Sequence, residues 1–541
     1  MTNMSIQFPL RPLTAILSGV CFALGLHYLT PLLPEAAQEF TNWIPDSWDE
    51  VLPAAFLPNQ NRETAHFEDL NEEAILFATA PSGTVPDEAA IDPSLPLDEN
   101  PVELSGSPAL PPLNPNPTPD PLEGLEVKSK FSLPPPPTPY QNSAGLTIYP
   151  IEDPQGTLTR FYRALQRSEA ALKKGEPDRD SITRIIHYGD SLLTGDYVTD
   201  QVRRLLQRRF GDAGHGFVLA GKPAPWYHRA HLQIQSSTGW DIYRLTSHNI
   251  KDGWYGIGGA TFLTRNRGQY LKIKPTGQDL GQSVTRMQVF YASQPDGGKF
   301  ELQMDQRTIE VDTRAPVKAS RLAEIQVADG SHQLQVKTLG GGEVRLFGVS
   351  LEREGPGVIY DTMGMDGARA RHLKNMNPEH WHDQLRLREP DLLVLHYGTN
   401  ESQMDLNPEK YAAELAQTVG HLRAALPGIS CLLISPLDRA YSDHGKLKTR
   451  PIVPKIVAAQ RQIAYQQGCA FWNAYEAMGG EGSMVKWYRA GLGGGDLTHP
   501  TRKGADRVGA LYFGALMDGY GKFEQREKQR NTPKEPQTDL P

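Results

Sequence analysis

Residues 184–194 read R-I-I-H-Y-G-D-S-L-L-T. The stretch opens on the apolar pair Ile185-Ile186 and ends in Gly189-Asp190-Ser191-Leu192, and a polar, helix-like segment runs on from Gly195 to Phe210. That order predicts a buried strand, a tight turn and a helix. A serine at such a turn stands where a parallel sheet presents groups to solvent, at the positive end of the next helix. Gly189 lets the backbone bend and approach its neighbours closely. Taken alone, Gly-Asp-Ser is a common turn, so the rest of the chain must supply the context.

The downstream half supplies it. Strand-like runs alternate with helix-like runs: Gly357 to Thr362, His372 to Arg388 (helical), Asp391 to His396, Pro408 to Ala425 (helical), Ser430 to Ser435, Ile452 to Gln467 (helical), Cys469 to Trp472, and a last helix from Thr501 to about Tyr520. Upstream, Thr157 to Lys174 has helical periodicity, with Phe161, Leu165 and Leu172 among charges. Such alternation implies an α/β domain, a parallel sheet with helices on both faces. Between the two parts, from about Trp226 to Arg353, period-two runs recur. They include Met287 to Tyr291, Phe300 to Met304, His332 to Val336 and Val344 to Val349, separated by Asp296-Gly297-Gly298 and Gly340-Gly341-Gly342. This texture predicts an antiparallel sandwich inserted into the α/β domain. Trp226, Tyr227, Trp240, Trp254 and Tyr255 gather at its start. They could stack on sugar rings; packing in the core is the default for such residues.

The N-terminal part differs. Residues 1–12 carry one charge, Arg11, and Leu13 to Leu33 is almost uncharged and long enough to span a bilayer as a helix. With no small-residue cleavage site, it reads as an uncleaved single-pass anchor in the inner membrane, with the bulk of the chain extracytoplasmic. Pro34 to Val127 holds 19 acidic residues and one basic one, so that segment carries −18 and the remainder +10 of the net −8. Residues 81–140 contain 17 of the 44 prolines. They predict an extended spacer. The mildly basic body suits a mixed solvated surface or an anionic polymer such as a cell-wall glycan. The strong basic run that nucleic-acid binding needs is missing. The three cysteines, Cys21, Cys431 and Cys469, form no zinc pattern. Cys431 and Cys469 lie in apolar strand-like runs, as buried small hydrophobes or, if the strands are neighbours, as a disulfide.

Four polar loops follow apolar strands or open helices: those of Ser191, Gly367, Asn400 and Asp496/His499. In a parallel sheet the strand ends share one edge, so residues distant in sequence can meet there. Ester hydrolysis needs a nucleophile, a base and donors for the developing oxyanion. Ser191 supplies a hydroxyl, His499 can take its proton, and Asp496 can hold the other imidazole nitrogen. The N–H groups of Ser191 and Gly367 and the Asn400 amide can bind the oxyanion. Individually each piece is an ordinary turn or helix entry. His215, in the glycine-rich loop Gly211 to Phe217, is a further polar residue that reads as loop packing or as a site residue. No metal or cofactor motif accompanies these loops.

In these blocks the chain resembles the SGNH/GDSL hydrolase superfamily. Gly189 to Leu192 matches G-D-S-L, with Ser191 the implied nucleophile. Gly367, or alternatively Gly364, matches the second block's glycine. Gly398-Thr399-Asn400-Glu401 stands for the usual G-x-N-D, with Glu401 departing from aspartate, and Asp496 to His499 matches D-x-x-H. The resemblance implies a three-layer, flavodoxin-like sheet. The insertion looks like that of bacterial cell-wall O-acetylesterases, whose hydrolase is interrupted by a jelly-roll, carbohydrate-binding-type module. The expected layout is a cytoplasmic N-terminus (1–12), anchor (13–33), acidic Pro-rich linker with a short helix at its end (34–155), hydrolase first part (156–225), β insertion (226–354), hydrolase second part (355–521) and disordered tail (522–541). The expected activity is hydrolysis of O-acetyl esters on an envelope glycan such as peptidoglycan, or of a small ester. The alternatives are an O-acetyltransferase using the same residues and a non-catalytic wall-binding protein.

Overall fold

Five apolar runs form one sheet in the computed structural model, which describes residues 133–175, 179–277, 280–404 and 406–531. They are β1 (Ile182–Gly189), β2 (Gly357–Gly364), β3 (Leu392–His396), β4 (Ser430–Ile434) and β5 (Ala470–Trp472). The strand order is β2-β1-β3-β4-β5 and every pairing is parallel. All five strands are buried along their whole length, as expected of a sheet covered on both faces.

Alternate strand residues feed two cores. Ile185, Leu392, Val394, Leu432 and Ile434 face α1 (Thr159–Lys174), α2 (Tyr197–Phe210) and α6 (Arg502–Asn531). Ile186, Leu393, Leu395 and Leu433 face α3 (Pro378–Arg388), α4 (Pro408–Ala425) and α5 (Ile452–Gln466). The result is a three-layer α/β domain. Local signals set the helix ends. Asn377 and Asn407 cap α3 and α4 by accepting the N–H of His380 and Lys410, with proline in the first turn. Gly175, at φ 69°, ends α1. The cysteines sit one residue before the paired Leu432 and Ala470 on adjacent parallel strands, and Cys431 and Cys469 form a disulfide.

Between β1 and β2 the chain builds two antiparallel sheets. One has five strands, from Leu232–Ser236 to Leu334–Gly340; the other has six, including Val284–Ser293, Ala319–Gly330 and Val344–Glu352. The boundary expected at residue 226 falls earlier. Gly216–Leu219 already pairs antiparallel with Val344–Glu352, so this strand belongs to the antiparallel region and not to the first part of the hydrolase. Among the clustered aromatics, Tyr227, Trp240 and Tyr255 are core residues, Trp254 stacks on His380, and Trp226 is 56% exposed. His215 is buried, its Nε2 3.1 Å from Ala230 O, and serves loop packing.

Three further expectations change. The helix foreseen over His372 to Arg388 is two elements, a 3-10 turn at Ala370–Asn375 and then α3, because Asn377 caps a new helix at Pro378. The end of the expected linker holds no helix. It makes a small hairpin, Tyr140–Gln141 with Thr147–Ile148, and joins the body: Ile148 is buried, Glu152 pairs with Arg461, and Trp472 Nε1 donates to Tyr149 O. Of the tail expected to be disordered, 522–531 is helical, since α6 runs to Asn531, and 532–541 lies outside the described residues. Phe523 is buried, and Lys522–Asp518 and Arg530–Glu527 pairs support the extension. The expected anchor, residues 13–33, and the linker up to residue 132 lie outside the described residues. Among the described residues no helix is long and apolar enough to cross a membrane.

Candidate active site

β1 delivers Ser191 to the carboxyl edge of the sheet. At Gly189 a Cβ would lie 2.5 Å from the Leu193 side chain and 2.9 Å from His396 O, so only glycine fits. Asp190 then caps the single helical turn Ser191–Thr194, its Oδ1 accepting the Leu192 N–H at 3.1 Å. Ser191 stands first in that turn, half-buried. Its Oγ lies 2.7 Å from His499 Nε2. The His499 Nδ1 lies 2.5 Å from Asp496 Oδ2, while Asp496 Oδ1 accepts the N–H groups of Thr498 and His499, each at 3.0 Å. Leu497 takes a left-handed backbone (φ 55°) so that the loop can fold its carboxylate back on its own imidazole.

These contacts define the protonation pattern. With Nδ1–H directed to Asp496, Nε2 is left to accept the Ser191 proton. The hydrogen bond from His499 and two N–H donors outweigh burial and hold the Asp496 carboxyl at about 2. The same contact with Asp496 raises the His499 pKa against the opposing effect of burial. A serine hydroxyl facing a base that is itself oriented by a carboxylate is the arrangement nucleophilic acyl transfer requires.

Two neighbouring loops complete the rim. Gly364 ends β2 in register with Gly189 and packs on the Leu193 backbone, whereas Gly367 sits three residues on, in an exposed turn at φ 70° with open space beside it. Asn400 follows β3 and is buried, and its Nδ2 donates to Ala368 O at 2.9 Å. Asn400 is therefore tied to the Gly367 turn, although no hydrogen bond joins Ser191 to Gly367 or Asn400 among the described residues. Among them, too, the Ser191 and Gly367 N–H groups have no acceptor and are free to meet a ligand.

Three contributors escaped the motif reading. Glu401 accepts the N–H of Gly398 at 3.1 Å through Oε2 and that of Ala370 at 3.0 Å through Oε1, and so clasps the two loops together. Burial, with the nearby Asp190 charge, raises its carboxyl to about 7. Burial likewise lifts Asp190 to about 6, partly offset by the Leu192 N–H and by Thr399. Arg439 reaches Thr399 O at 3.1 Å and Ser402 Oγ at 3.2 Å. The glutamate and the aspartate stand inside the quoted motifs, which assign them no role; Arg439 has no motif to mark it. Among the described residues no group of three His, Cys, Asp or Glu side chains could hold a metal ion.

Residues 328–507 match the GDSL-like Lipase/Acylhydrolase family. That span holds Gly367, Asn400, Asp496 and His499 and stops short of Ser191, which the antiparallel region separates from them. Among solved structures, a peptidoglycan O-acetylesterase is similar at 21% identity over 67% of this chain and 96% of that one, with a TM-score of 0.56. A family two carbohydrate esterase from Cellvibrio japonicus matches at 12% identity over 57% and 98%, TM-score 0.23. Its counterpart from Clostridium thermocellum matches at 12% over 54% and 100%, TM-score 0.23. A search of the curated proteins finds no match. Residues 328–507 therefore carry a GDSL-like lipase/acylhydrolase domain, and the chain shares the fold of a peptidoglycan O-acetylesterase.

Proposed function

We propose that Ser191 is the nucleophile of a serine esterase that removes O-acetyl groups from a cell-envelope glycan, with peptidoglycan the substrate to test first. The observation that carries the catalytic part is the 2.7 Å contact of Ser191 Oγ with His499 Nε2, the ring being held from behind by Asp496. Ser191 Oγ attacks the ester carbonyl as its proton passes to His499. The N–H groups of Ser191 and Gly367 and the second Asn400 amide hydrogen receive the negative charge that grows on the carbonyl oxygen. Collapse expels the sugar hydroxyl, which takes the proton from His499. Water, deprotonated by the same imidazole, then releases acetate from the acyl-serine. The carbon–oxygen bond made in the first half is broken in the second, and one water is consumed.

The glycan half of the reading has separate support. The fold is shared with a peptidoglycan O-acetylesterase, and a two-sheet region of the kind that carries carbohydrate-binding modules sits between β1 and β2. The Cys431–Cys469 disulfide fits an oxidising compartment, in keeping with an extracytoplasmic body held by residues 13–33 at the inner membrane.

The test is acetate release from native and from chemically de-O-acetylated peptidoglycan by the full chain and by its Ser191→Ala variant. Release from the native polymer alone, and none by the variant, is expected. Turnover by Ser191→Ala would remove the assigned nucleophile. Hydrolysis of a chromogenic acetyl ester without release from the native polymer would leave an esterase of another substrate.

A further inference from the structure

The charge of the body is not spread over a mixed surface. On one side of the sheet, α1, α2 and α6 hold 16 basic and 6 acidic residues. On the other side, α3, α4 and α5 hold 6 and 4. Burial sorts the two signs further. Of the 16 basic side chains 12 are exposed, whereas none of the 6 acidic ones is. The exposed ones include Lys173 and Lys174 at the end of α1, Arg502 and Lys503 at the start of α6, and Arg526 and Arg530 at its end. The acids lie inward and tie the three helices into one layer. Asp200 of α2 meets Arg502 of α6 at 3.1 Å, Glu169 of α1 meets Arg209 of α2 at 4.0 Å, and Glu527 of α6 meets Arg163 of α1 at 3.9 Å. From outside the layer, Asp391, just before β3, reaches Arg167 at 3.8 Å. However these pairs are drawn, so few carboxylates cannot balance 16 cations. A surface of one sign repels itself and attracts anionic chain.

The chain's own anionic stretch arrives at this layer. Residues 63–127, which lie outside the described residues, hold 14 acidic residues and no basic one. A short way downstream, the hairpin of Tyr140–Gln141 with Thr147–Ile148 rests on α6. The Tyr140 hydroxyl donates to Asp518, Lys522 Nζ lies 5.3 Å from the Tyr140 ring centroid, and Ile148 packs at Gly514. The acidic stretch is therefore tethered beside the cationic helices. A segment of its length reaches about 200 Å when extended, against about 45 Å for α6, so it can follow the whole layer. A tether of this kind holds its two ends together at roughly millimolar effective concentration, which favours this segment over a free polyanion.

We propose that the layer of α1, α2 and α6 is a docking surface for the chain's own acidic segment, residues 63–127. The segment lies along these helices at low ionic strength, and salt or a competing polyanion frees it. The ester site plays no part in this contact.

The test is zero-length carbodiimide cross-linking of the full chain, with the linked carboxylate–lysine pairs mapped by mass spectrometry. Carboxylates of 63–127 should join Lys173, Lys174 and Lys503, which lie at the far ends of the layer. They should join the exposed Lys251, Lys274 and Lys446, elsewhere on the body, several-fold less. Raising the salt to about 0.5 M, where the screening length falls to roughly 4 Å, should cut the favoured links by about 10-fold. A full-chain variant with Lys173→Gln, Lys174→Gln, Arg526→Gln and Arg530→Gln should lose several-fold of the Lys503 links and keep those at Lys251. Equal linkage of all six lysines, links that ignore salt, or Lys503 links unchanged in the variant would each overturn the proposal. So would capture of phosphatidylglycerol vesicles that the variant loses, without the links from 63–127, since the face would then belong to a membrane.

Discussion

The Glu401 carboxylate accepts the N–H of Ala370 at 3.0 Å, joining the loop after β3 to the turn after β2. Its other oxygen holds Gly398. Together with the Asn400–Ala368 bond, this side chain sets the spacing between Asn400 and Gly367, the two groups from separate loops proposed above as oxyanion donors. A shift of about 1 Å in such donors can cost on the order of 100-fold in rate. Glu401→Ala should therefore lower kcat on a neutral acetyl ester by roughly 10- to 100-fold, with KM little changed. Glu401→Asp, one methylene shorter, should recover part of that loss by keeping the local Gly398 contact. Steady-state kinetics checks both, and an unaltered kcat in Glu401→Ala would show that the clasp does not position the donors.

The pH profile follows from His499. The imidazole accepts the Ser191 proton only when neutral, so activity falls as acid protonates it. The Asp496 hydrogen bond raises the His499 pKa above the ordinary 6.5, which places the acid limb of kcat/KM above that value. Asp496→Asn removes the carboxylate. The limb should move to lower pH, and kcat should fall on the order of 10³–10⁴, because the ring loses its orientation and its counter-charge. A limb that stays in place after Asp496→Asn would assign it to another group.

Much of this arrangement was legible in the sequence, for a physical reason. A strand buried on both faces must be a nearly unbroken apolar run, and the parallel sheet puts the loops after such runs on one edge. Ile185-Ile186 before Gly189-Asp190-Ser191 and Asp391 to His396 before Asn400 were therefore readable together. Three-dimensional reach was not. Whether Cys431 and Cys469 meet depends on the register of β4 against β5. The second role of Glu401 depends on where Ala370 falls. The end of α6 was misjudged because charge and proline after Glu524 resemble a solvated tail, whereas Phe523 and ion pairs along the helix carry it to Asn531.

The Cys431–Cys469 disulfide closes a loop with a sequence separation of 38 and ties β4 to β5 away from Ser191. Chain-entropy arguments give such a link about 4 kcal/mol of stability. The double variant Cys431→Ala, Cys469→Ala should unfold at a lower temperature and lower denaturant concentration than the oxidised protein. Reductant should bring wild type to the same midpoint and leave the variant unmoved. A reductant-insensitive wild type would mean that the link contributes nothing to stability.

The last prediction concerns the buried charges between the antiparallel region and the sheet. Arg388 of α3 meets Asp361 of β2 and Glu352, the residue that ends Val344–Glu352; Arg184 and Arg286 meet Glu352 as well. Burial alone would raise the Glu352 pKa, but the charges of Arg388, Arg184 and Arg286 outweigh it and hold the carboxyl well below 4.5. A depressed carboxyl contributes stability that is present above its ordinary pKa and is lost as pH falls through the depressed value. Arg388→Met strands Asp361 without its cation and leaves Glu352 to Arg184 and Arg286, and breaking a buried pair in this way costs roughly 3–5 kcal/mol. Urea unfolding at pH 7 should show that loss. The gap from wild type should narrow as the medium becomes acidic, because protonation relieves the stranded charge in the variant while wild type loses its own pairing. Hydrogen exchange should speed up first along Val344–Glu352 and β2, where the two regions meet. Equal stability of Arg388→Met and wild type at pH 7 would show that the cluster is not what holds this junction together.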